Sequence, residues 1–422
     1  MMRENVDQKQ VLEIAKKAKN ASYHLSSVET SAKNNILNDS AEAILNRKDN
    51  LISENQRDIE LNKDKLNDAL LDRLVLDSKR IDGICEGLIA ISKLEDPVGK
   101  IISSWRRPNG LKIEKVSIPL GVLGVIYESR PNVAADAAGL CLKSGNALIL
   151  RGGSESFLTS SLIIKIINKS IKKFGLPEGT LQNIPTKDRT AVGYLLGMSD
   201  YVDVIIPRGG KSLIERVTQE SKIHVIKHLD GICHTYIHSS AKEELCEKIS
   251  VNAKMRRPGI CGATETILCD SQIIESHLPQ LIVSLKKLGC EIRVDKKIIN
   301  LDDSLKLATE DDWKTEYLDK IVSIKSVDNG VKEAVSHINN FGSGHTDAII
   351  SEDEKSIDYF LSNVDSGIVM HNTSTQFADG GEFGMGAEIG ISTSKVHARG
   401  PVGVSQLTSF KYKVRGTGQI RP

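Results

Sequence analysis

Residues 147–154 read ALILRGGS, a short apolar run that ends in an arginine and two glycines. An apolar run of this length, bounded by glycine, is typical of a strand buried inside a parallel sheet. The residues that follow carry apolar side chains at helical spacing as far as Lys173. The stretch therefore predicts a buried strand over 147–151, a glycine turn, and a helix over about 154–173.

The same pattern occurs again further along the chain. VDVIIP at 202–207 is a second apolar run, and Arg-Gly-Gly and a helix from Ser212 follow it. Strand and helix patterns keep alternating to about residue 368. Strands that alternate with helices of this length form right-handed βαβ units around a parallel sheet. The sequence predicts an α/β fold.

Three other regions have their own patterns. Residues 5–100 are polar with apolar positions at helical spacing, which predicts several amphipathic helices packed on other elements. Residues 111–126 contain short β-branched runs broken by glycine and proline, which favours strands or an extended hairpin. The glycine-dense last third predicts loops lining a site, followed by a strand pair near 407–414.

Composition limits the function classes. The chain has 422 residues, enough for roughly two to three domains, and its net charge of +1 gives no overall electrostatic case for nucleic acid or a membrane surface. The first residues are polar and no apolar run reaches membrane-spanning length, so we expect a cytoplasmic protein. The seven cysteines are scattered and lack Cys-x-x-Cys spacing, so we expect no disulfide framework. The histidines lack metal-ligand spacing, so we expect no metal site.

Two glycine turns open predicted helices, at Gly152-Gly153 and at Gly209-Gly210. A helix N-terminus reached through glycine can bind phosphate, because free N–H groups and the positive end of the helix dipole face the ligand. Arg151 and Arg208 precede the two turns, which favours phosphate and suits a dinucleotide with an extra 2′-phosphate. The alternative is a pair of ordinary turns in which glycine supplies a positive φ angle.

One cysteine stands in an unusual context. The segment KMRRPGICGATET, residues 254–266, places Cys261 between glycines and just after Arg256 and Arg257. Glycine and proline favour a loop, and nearby cations lower the pKa of a thiol and so favour the nucleophilic thiolate. Cys261 is the best nucleophile candidate in the chain; the alternative is a buried structural thiol.

Three long segments carry a family resemblance. PLGVLGVIYESRPNVAADAAGLCLKSGNALILRGGSE at 119–155, RRPGICGATET at 256–266 and GGEFGMGAEIGISTSKVHARGPVGVSQLTSFKYKVRGTGQIR at 380–421 resemble the gamma-glutamyl phosphate reductases. These enzymes, also called glutamate-5-semialdehyde dehydrogenases, catalyse the second step of proline biosynthesis and belong to the aldehyde dehydrogenase superfamily. The likeness runs over essentially the whole chain.

The resemblance implies a three-part architecture. An NADPH-binding, Rossmann-like domain would comprise residues 1–103, 125–231 and 371–393. A catalytic domain would span 232–370. A small β oligomerisation lobe would combine 104–124 with 394–422, so the resemblance also implies a homo-oligomer.

The resemblance also implies a mechanism and its residues. Cys261 would attack the acyl phosphate of L-glutamyl 5-phosphate, release phosphate, and hold the glutamyl group as a thioester that NADPH reduces. Asn132 and the backbone N–H of Cys261 would stabilise the oxyanion. The residues expected at the cofactor are Arg151, Gly152, Arg208, Gly209, Gly210, Ser212 and Glu316.

One departure from the superfamily indicates the reaction type. Aldehyde-oxidising relatives carry a Glu-Leu-Gly-Gly motif whose glutamate activates water, whereas this chain has His228-Leu229-Asp230-Gly231 at that place. The loss of that base favours acyl-phosphate reduction over hydrolysis, although Asp230 stands two positions away and could act.

Substrate contacts follow from the charges on the substrate. We expect Arg130, Arg256 and Arg257 at its phosphate and carboxylate and Glu128 at its ammonium group; for each residue the alternative is a structural ion pair. The other functions to weigh are a dehydrogenase of another aldehyde and a non-catalytic nucleotide-binding protein. The expected partners are a small-molecule substrate and, because glutamyl phosphate cyclises readily, a separate glutamate 5-kinase.

Overall fold

The computed structural model describes residues 7–66, 68–227 and 230–421. The chain divides into two compact units. The first comprises the described residues up to Lys227 together with Gly384–Gly390 and the residues from 402 onward. The second comprises the described residues from 230 to Phe383 together with Ile391–Pro401.

The first unit contains the amino-terminal helices and two sheets. Its helices are α1 (Gln8–Leu25), α2 (Thr30–Leu45), α3 (Lys48–Asn62), α4 (Asp68–Leu74), α5 (Ser78–Lys93), α6 (Val133–Lys143), α7 (Phe157–Lys173), α8 (Thr190–Leu196) and α9 (Lys211–Glu220). Its strands are β1 (Ile101–Arg106), β2 (Lys112–Pro119), β3 (Val122–Tyr127), β4 (Ala147–Gly152), β5 (Leu181–Asn183), β6 (Val204–Arg208), β7 (His224–Val225) and β17 (Thr408–Arg415).

A five-stranded sheet forms the centre of this unit, in the order β5-β4-β3-β6-β7 with every pairing parallel. All six residues of β3 are buried, as expected for a central strand covered on both faces. Val11 and Ala15 of α1 share one hydrophobic core with Val122 of β3 and Ile149 of β4. The predicted amphipathic amino-terminal helices and parallel strands are confirmed.

A second sheet of three antiparallel strands has the order β1-β2-β17. It joins segments that are nearly 300 residues apart, since Thr408 pairs with Pro119. The predicted strand pair near 407–414 is therefore wrong: this segment is a single strand whose partner is β2. Every residue of β1 is exposed.

The second unit is built on a larger parallel sheet. Its helices are α10 (Glu243–Met255), α11 (Ile274–Lys287), α12 (Val331–Phe341) and α13 (Glu354–Asn363). Its strands are β8 (Cys233–Ile237), β9 (Thr264–Asp270), β10 (Glu291–Val294), β11 (Lys306–Leu307), β12 (Ile321–Val327), β13 (Thr346–Ile350), β14 (Ile368–His371), β15 (Ile391–Ser392) and β16 (Gly400–Pro401).

Seven strands form that sheet in the order β11-β10-β12-β9-β8-β13-β14, again all parallel. Helices α10 and α11 belong to one hydrophobic core and α12 and α13 to another, so apolar side chains pack on the sheet in two separate groups. Parallel strands wrapped by helices are the expected α/β arrangement. The predicted α/β fold is confirmed in both units.

Two elements begin two or more residues later than predicted. Helix α7 begins at Phe157 rather than at Ser154, because Asp58 of α3 accepts the N–H groups of Leu158 and Thr159 at 3.2 and 2.9 Å and caps the helix there. Strand β6 begins at Val204 rather than at residue 202.

No helix within the described ranges is long and apolar enough to cross a lipid bilayer.

Candidate active site

In the first unit, three strand ends bring predicted cofactor residues together. Strands β4, β3 and β6 are neighbours, and Tyr127 at the end of β3 pairs with Gly152 on one side and Arg208 on the other. The carboxyl ends of parallel strands form the edge where ligands of α/β proteins bind. Arg151, Gly152 and Arg208 lie at this edge, and Gly209 and Gly210 follow β6 directly.

Gly152 and Gly209 at this edge are closely packed. A Cβ atom at Gly152 would lie 2.9 Å from the Tyr127 ring, and one at Gly209 would lie 2.5 Å from a carboxylate oxygen of Glu128. None of Gly152, Gly153, Gly209 and Gly210 has a positive φ angle. The turns therefore use glycine for close approach and not for a left-handed conformation.

Two guanidinium groups at this edge have an unused donor. Arg151 is 5% exposed, and its Nη2 donates to the carbonyl oxygens of Lys187 and Asp188 at 3.3 and 3.2 Å. Its Nε is buried and finds no acceptor among the described residues, and the same holds for Nε of Arg208. Buried polar groups are almost always hydrogen-bonded, so each of these unsatisfied cationic donors fits an anionic ligand.

Glu128 lies next to these arginines. Its carboxylate accepts the N–H of Gly210 at 3.1 Å, at the N-terminus of α9. A carboxylate is favourable there for the same reason as a phosphate, because the helix dipole and free N–H groups attract negative charge. At the second glycine turn, where phosphate is predicted to bind, the Glu128 side chain thus already contacts the backbone. Ser212 beside it is exposed.

Asn132 has a fixed orientation in the structure. It stands at the start of α6 and its Nδ2 donates to Asp136 at 2.9 Å. Burial raises the pKa of Asp136 to about 6, against the lowering effects of the Asn132 hydrogen bond and of Arg208. Arg130, two residues earlier, is half-buried. An amide has two N–H donors, so one remains for a ligand while the other orients the side chain.

In the second unit, Cys261 lies in the eight-residue loop 256–263 between α10 and β9. The loop is held closely from inside the unit. The thiol of Cys233 donates to the carbonyl oxygen of Cys261 at 3.0 Å, and Nε2 of Gln376 donates to the carbonyl oxygen of Arg257 at 3.4 Å. The backbone that carries Cys261 is thereby fixed on two sides.

Cys261 differs from the other cysteines in exposure. All seven lie within the described residues; Cys261 is partly exposed and the other six are buried. Burial raises the pKa of each of those six thiols, which are Cys85, Cys141, Cys233, Cys246, Cys269 and Cys290. Buried thiols of raised pKa are unreactive, whereas a partly exposed thiol on a tight loop suits a nucleophile.

Gly231 and Glu316 lie at this loop as well. The N–H of Gly231 donates to Oε1 of Glu316 at 2.8 Å. A Cβ atom at Gly231 would lie 2.1 Å from the carbonyl oxygen of Cys261. Gly231 belongs to the segment that replaces the motif with the water-activating glutamate, and it thus contacts the nucleophile loop. His228 and Leu229 of that segment lie outside the described residues.

The two arginines before Cys261 are both exposed. Nη1 of Arg256 donates to Oε1 of Gln376 at 3.4 Å, and the carbonyl oxygen of Arg257 accepts from Nε2 of the same side chain at 3.4 Å. The role predicted for each site residue, in either unit, stays a prediction.

Several residues of these two sites escaped sequence reasoning. Asp136, four residues after Asn132, orients the Asn132 side chain. Its only sequence signal is that it is an acidic residue inside the apolar run VAADAAGLCL. Cys233 and Gln376 reach the nucleophile loop from distant segments and carry no local signal. Within the described ranges no group of three or more metal-ligating side chains is placed to hold a metal ion.

Comparison with known proteins places the chain in a family. The aldehyde dehydrogenase family model matches residues 3–298. The gamma-glutamyl phosphate reductase of Rhodospirillum rubrum is 54% identical over 413 residues, which cover 98% of this chain and 96% of that protein. The enzyme of the same name from Rhizobium johnstonii is 53% identical, over 97% of this chain and 96% of its own length.

A solved structure agrees with the sequence relatives. The crystal structure of the gamma-glutamyl phosphate reductase of Thermotoga maritima superposes with a TM-score of 0.94 at 39% identity, over 98% of this chain and 100% of that one. The chain belongs to the aldehyde dehydrogenase family and, within it, to the gamma-glutamyl phosphate reductases.

Proposed function

We propose that the chain reduces L-glutamyl 5-phosphate to L-glutamate 5-semialdehyde and inorganic phosphate, the second step of proline biosynthesis, with NADPH as cofactor and Cys261 as nucleophile. The names of the relatives at 54 and 53% identity support the overall reaction. The observation that carries the mechanism is the position of Cys261, the partly exposed thiol on a fixed loop, among six buried cysteines.

The covalent steps follow from thiolate chemistry. The Cys261 sulfur attacks the acyl carbon of the substrate, the carbon–oxygen bond to phosphate breaks, and phosphate leaves with that electron pair. The resulting thioester is reduced to a thiohemiacetal. When the carbon–sulfur bond breaks, the aldehyde forms and the thiolate of Cys261 is free for another turnover.

Each tetrahedral species carries an oxyanion, which needs fixed donors. We assign this role to the second N–H of the Asn132 side chain and to the backbone N–H of Cys261. Support for Asn132 comes from its bond to Asp136, which holds the amide in one orientation before substrate arrives. For the substrate charges we retain Arg130, Arg256 and Arg257 at the anionic groups.

The proposed cofactor site is the strand edge of the first unit. The unsatisfied Nε donors of Arg151 and Arg208 fit the phosphates of a dinucleotide, and a Cβ atom at Gly210 would meet nothing closer than 4.0 Å, so there is space beside that turn. When bound, NADPH supplies the hydride that reduces the thioester. Glu316 would hold the nicotinamide ribose, and Ser212 would line the pyrophosphate. Because the carboxylate of Glu128 contacts the N–H of Gly210, an incoming phosphate must share or displace it.

The domain assignment is part of the same proposal, with an NADPH-binding domain (1–103, 125–231 and 371–393), a catalytic domain (232–370) and an oligomerisation lobe (104–124 and 394–422). The antiparallel sheet supports the lobe, since β17 pairs along the whole of β2. Trp105 and Tyr412 lie edge to face on it and are 38 and 56% exposed, which suits a surface that a second copy covers.

The experiment that tests the proposal is a spectrophotometric assay in the aldehyde direction. Glutamate 5-semialdehyde is mixed with NADP or NAD, with and without inorganic phosphate. We expect steady reduction of NADP only when phosphate is present, because phosphate is then the acceptor of the glutamyl group. Equal steady rates without phosphate would instead identify an aldehyde dehydrogenase that hydrolyses its thioester, and no reduction of either cofactor would refute the reaction.

A further inference from the structure

Lys254 and Glu265 form an ion pair in the interior of the second unit. Nζ of Lys254 donates to Oε2 of Glu265, and both side chains are 0% exposed. Lys254 lies in the last turn of α10 and Glu265 is the second residue of β9. These two elements flank the loop 256–263, so the pair joins the two ends of the loop that carries Cys261.

Stability alone does not account for this pair. Removing two charges from water costs free energy that their attraction often fails to recover, and apolar residues of similar volume usually serve as well. Burial raises the pKa of Glu265 although Lys254 opposes the shift, so this position would be unfavourable for a carboxylate without the lysine. The cost suggests a requirement that apolar side chains would not meet.

The second carboxylate oxygen of Glu265 indicates that requirement. It accepts the N–H of Leu318 at 3.3 Å. Leu318 has a left-handed φ angle of 52°, an unfavourable conformation for a leucine that neighbouring contacts must hold. Two residues earlier, Glu316 accepts the N–H of Gly231, and Gly231 lies against the backbone of Cys261.

One carboxylate therefore reaches the nucleophile loop by two routes. The first runs through Lys254 to α10, and the second runs through Leu318, Glu316 and Gly231. Other ionisable side chains near the pair are Glu316, whose charge acts on Glu265, Tyr317, whose ring centroid lies 5.7 Å from Nζ of Lys254, and Cys290, whose thiol is buried. Glu316 belongs to the second route, and within the described residues no hydrogen bond joins Tyr317 or Cys290 to Cys261. The Lys254–Glu265 pair is therefore the element common to both routes.

We propose that Lys254 and Glu265 are positioning residues for the reaction: their buried ion pair fixes the Cys261 loop and the Glu316 segment in register with each other. The proposal rests on the proposed function for the role of Cys261 as nucleophile. Neither residue touches substrate or cofactor. They determine the positions of the Cys261 thiol and of Glu316. A displacement of about 1 Å at a reacting group can lower the rate roughly 100-fold.

Two paired replacements separate this role from a purely structural one. Lys254→Met/Glu265→Leu removes both charges and the acceptor for Leu318. Lys254→Met/Glu265→Gln removes both charges but keeps a neutral oxygen for the Leu318 N–H. The matched control is Lys242→Met/Glu352→Gln, which removes the exposed pair between Lys242 and Glu352 in the same unit. Thermal unfolding, kcat and KM, and the iodoacetamide alkylation rate at Cys261 without substrate are measured for all three.

For the Met/Leu variant we expect kcat and the alkylation rate each to fall by about 10- to 100-fold, with KM for the aldehyde changed less than about threefold and the melting temperature close to that of the native protein. The Met/Gln variant should lose less of both rates, and the control should match the native protein. A folded Met/Leu variant with native kcat and native alkylation rate overturns the proposal. If that variant does not fold, native values in the Met/Gln variant overturn it equally.

The two proposals fail in different ways. If the native protein reduces neither NADP nor NAD, the proposed function is refuted. The alkylation rate at Cys261 then still decides whether the ion pair positions the loop, because that measurement needs neither substrate nor cofactor.

Discussion

Gly231 packs directly on the backbone of Cys261: a methyl group at its Cα would stand 2.1 Å from the carbonyl oxygen of Cys261 and 2.6 Å from its Cα. Heavy atoms cannot approach so closely, and both partners are backbone that cannot rotate away. The absence of a side chain at Gly231 therefore sets where the nucleophile loop lies. The N–H of the same residue is held by Glu316 at 2.8 Å.

Gly231→Ala should displace the loop and lower kcat by about 100-fold, since catalysis depends on sub-ångström placement of the thiol. Gly259→Ala is the matched control in the same loop, because its added Cβ would meet nothing closer than the Leu318 carbonyl oxygen at 3.7 Å. Steady-state kinetics of the two variants check the prediction. Native kcat in Gly231→Ala would show that the contact does not constrain the reaction.

Arg257→Met should raise KM for phosphate in the aldehyde direction by about 10-fold or more while kcat stays within about twofold, if this exposed cation binds the phosphate. Arg256→Met should have a smaller effect, since Nη1 of Arg256 already contacts Gln376 at 3.4 Å. If neither variant changes KM for phosphate but both slow the alkylation of Cys261, the arginines act on the thiolate instead.

Arg151→Met should weaken NADPH binding by about 10-fold or more. The change removes Nε of Arg151, a buried cationic donor that has no acceptor within the described residues. Arg216→Met is the control, as Arg216 forms an exposed helix pair with Glu220 in α9. Fluorescence titration with NADPH measures both affinities, and the melting temperature reports whether the variant is folded. Native affinity in a folded Arg151→Met variant would move the cofactor away from this strand edge.

His337 should make the second unit acid-sensitive. Burial, with smaller contributions from His234 and Lys325, lowers the pKa of His337 from 6.5 to about 3. Between these values the unfolded chain binds one more proton than the folded chain, so stability is complete above pH 6.5 and is lost as the pH falls. At pH 5 the loss is about 2 kcal/mol.

His337→Phe should remove this loss, since the side chain already packs on the rings of Trp313 and Phe341. Denaturant unfolding followed by Trp313 fluorescence in a Trp105→Phe background gives the free energy at pH 7 and pH 5. The decrease between the two pH values should be about 2 kcal/mol smaller in His337→Phe than in its parent. The exposed His224 offers a control in His224→Gln, and equal decreases in all three proteins would contradict the assignment.

The fold was largely predictable because apolar runs and glycine turns are local signals. ALILR and VDVIIP specify buried parallel strands without reference to the rest of the chain, and they became β4 and β6. Boundaries were less predictable, since they depend on distant partners. Residues 202 and 203 lie outside β6. The Asp203 carboxylate accepts the N–H of Val122 and forms an ion pair with Lys19.

The site was predictable only where a residue type carries its own chemistry. Cys261 stood out by its neighbours, and the structure adds that it alone of the seven cysteines is not buried. The charge of Glu128 predicts a contact with the substrate ammonium, which stays a prediction; the structure adds that its carboxylate accepts the N–H of Gly210. The Lys254–Glu265 pair could not be found from sequence, because a charge near a loop is normally solvated and only burial distinguishes this one.

In the proposed reaction Cys261 carries the glutamyl group as a thioester. The most direct measurement mixes the protein with glutamate 5-semialdehyde and NADP in the absence of phosphate, quenches with acid within one turnover, and maps the protein by peptide mass spectrometry. We predict one glutamyl adduct on the Cys261 peptide, formed with one equivalent of NADPH, unaffected in Cys290→Ala and absent in Cys261→Ala. An adduct on another residue, or native turnover by Cys261→Ala, would show that Cys261 does not carry the glutamyl group.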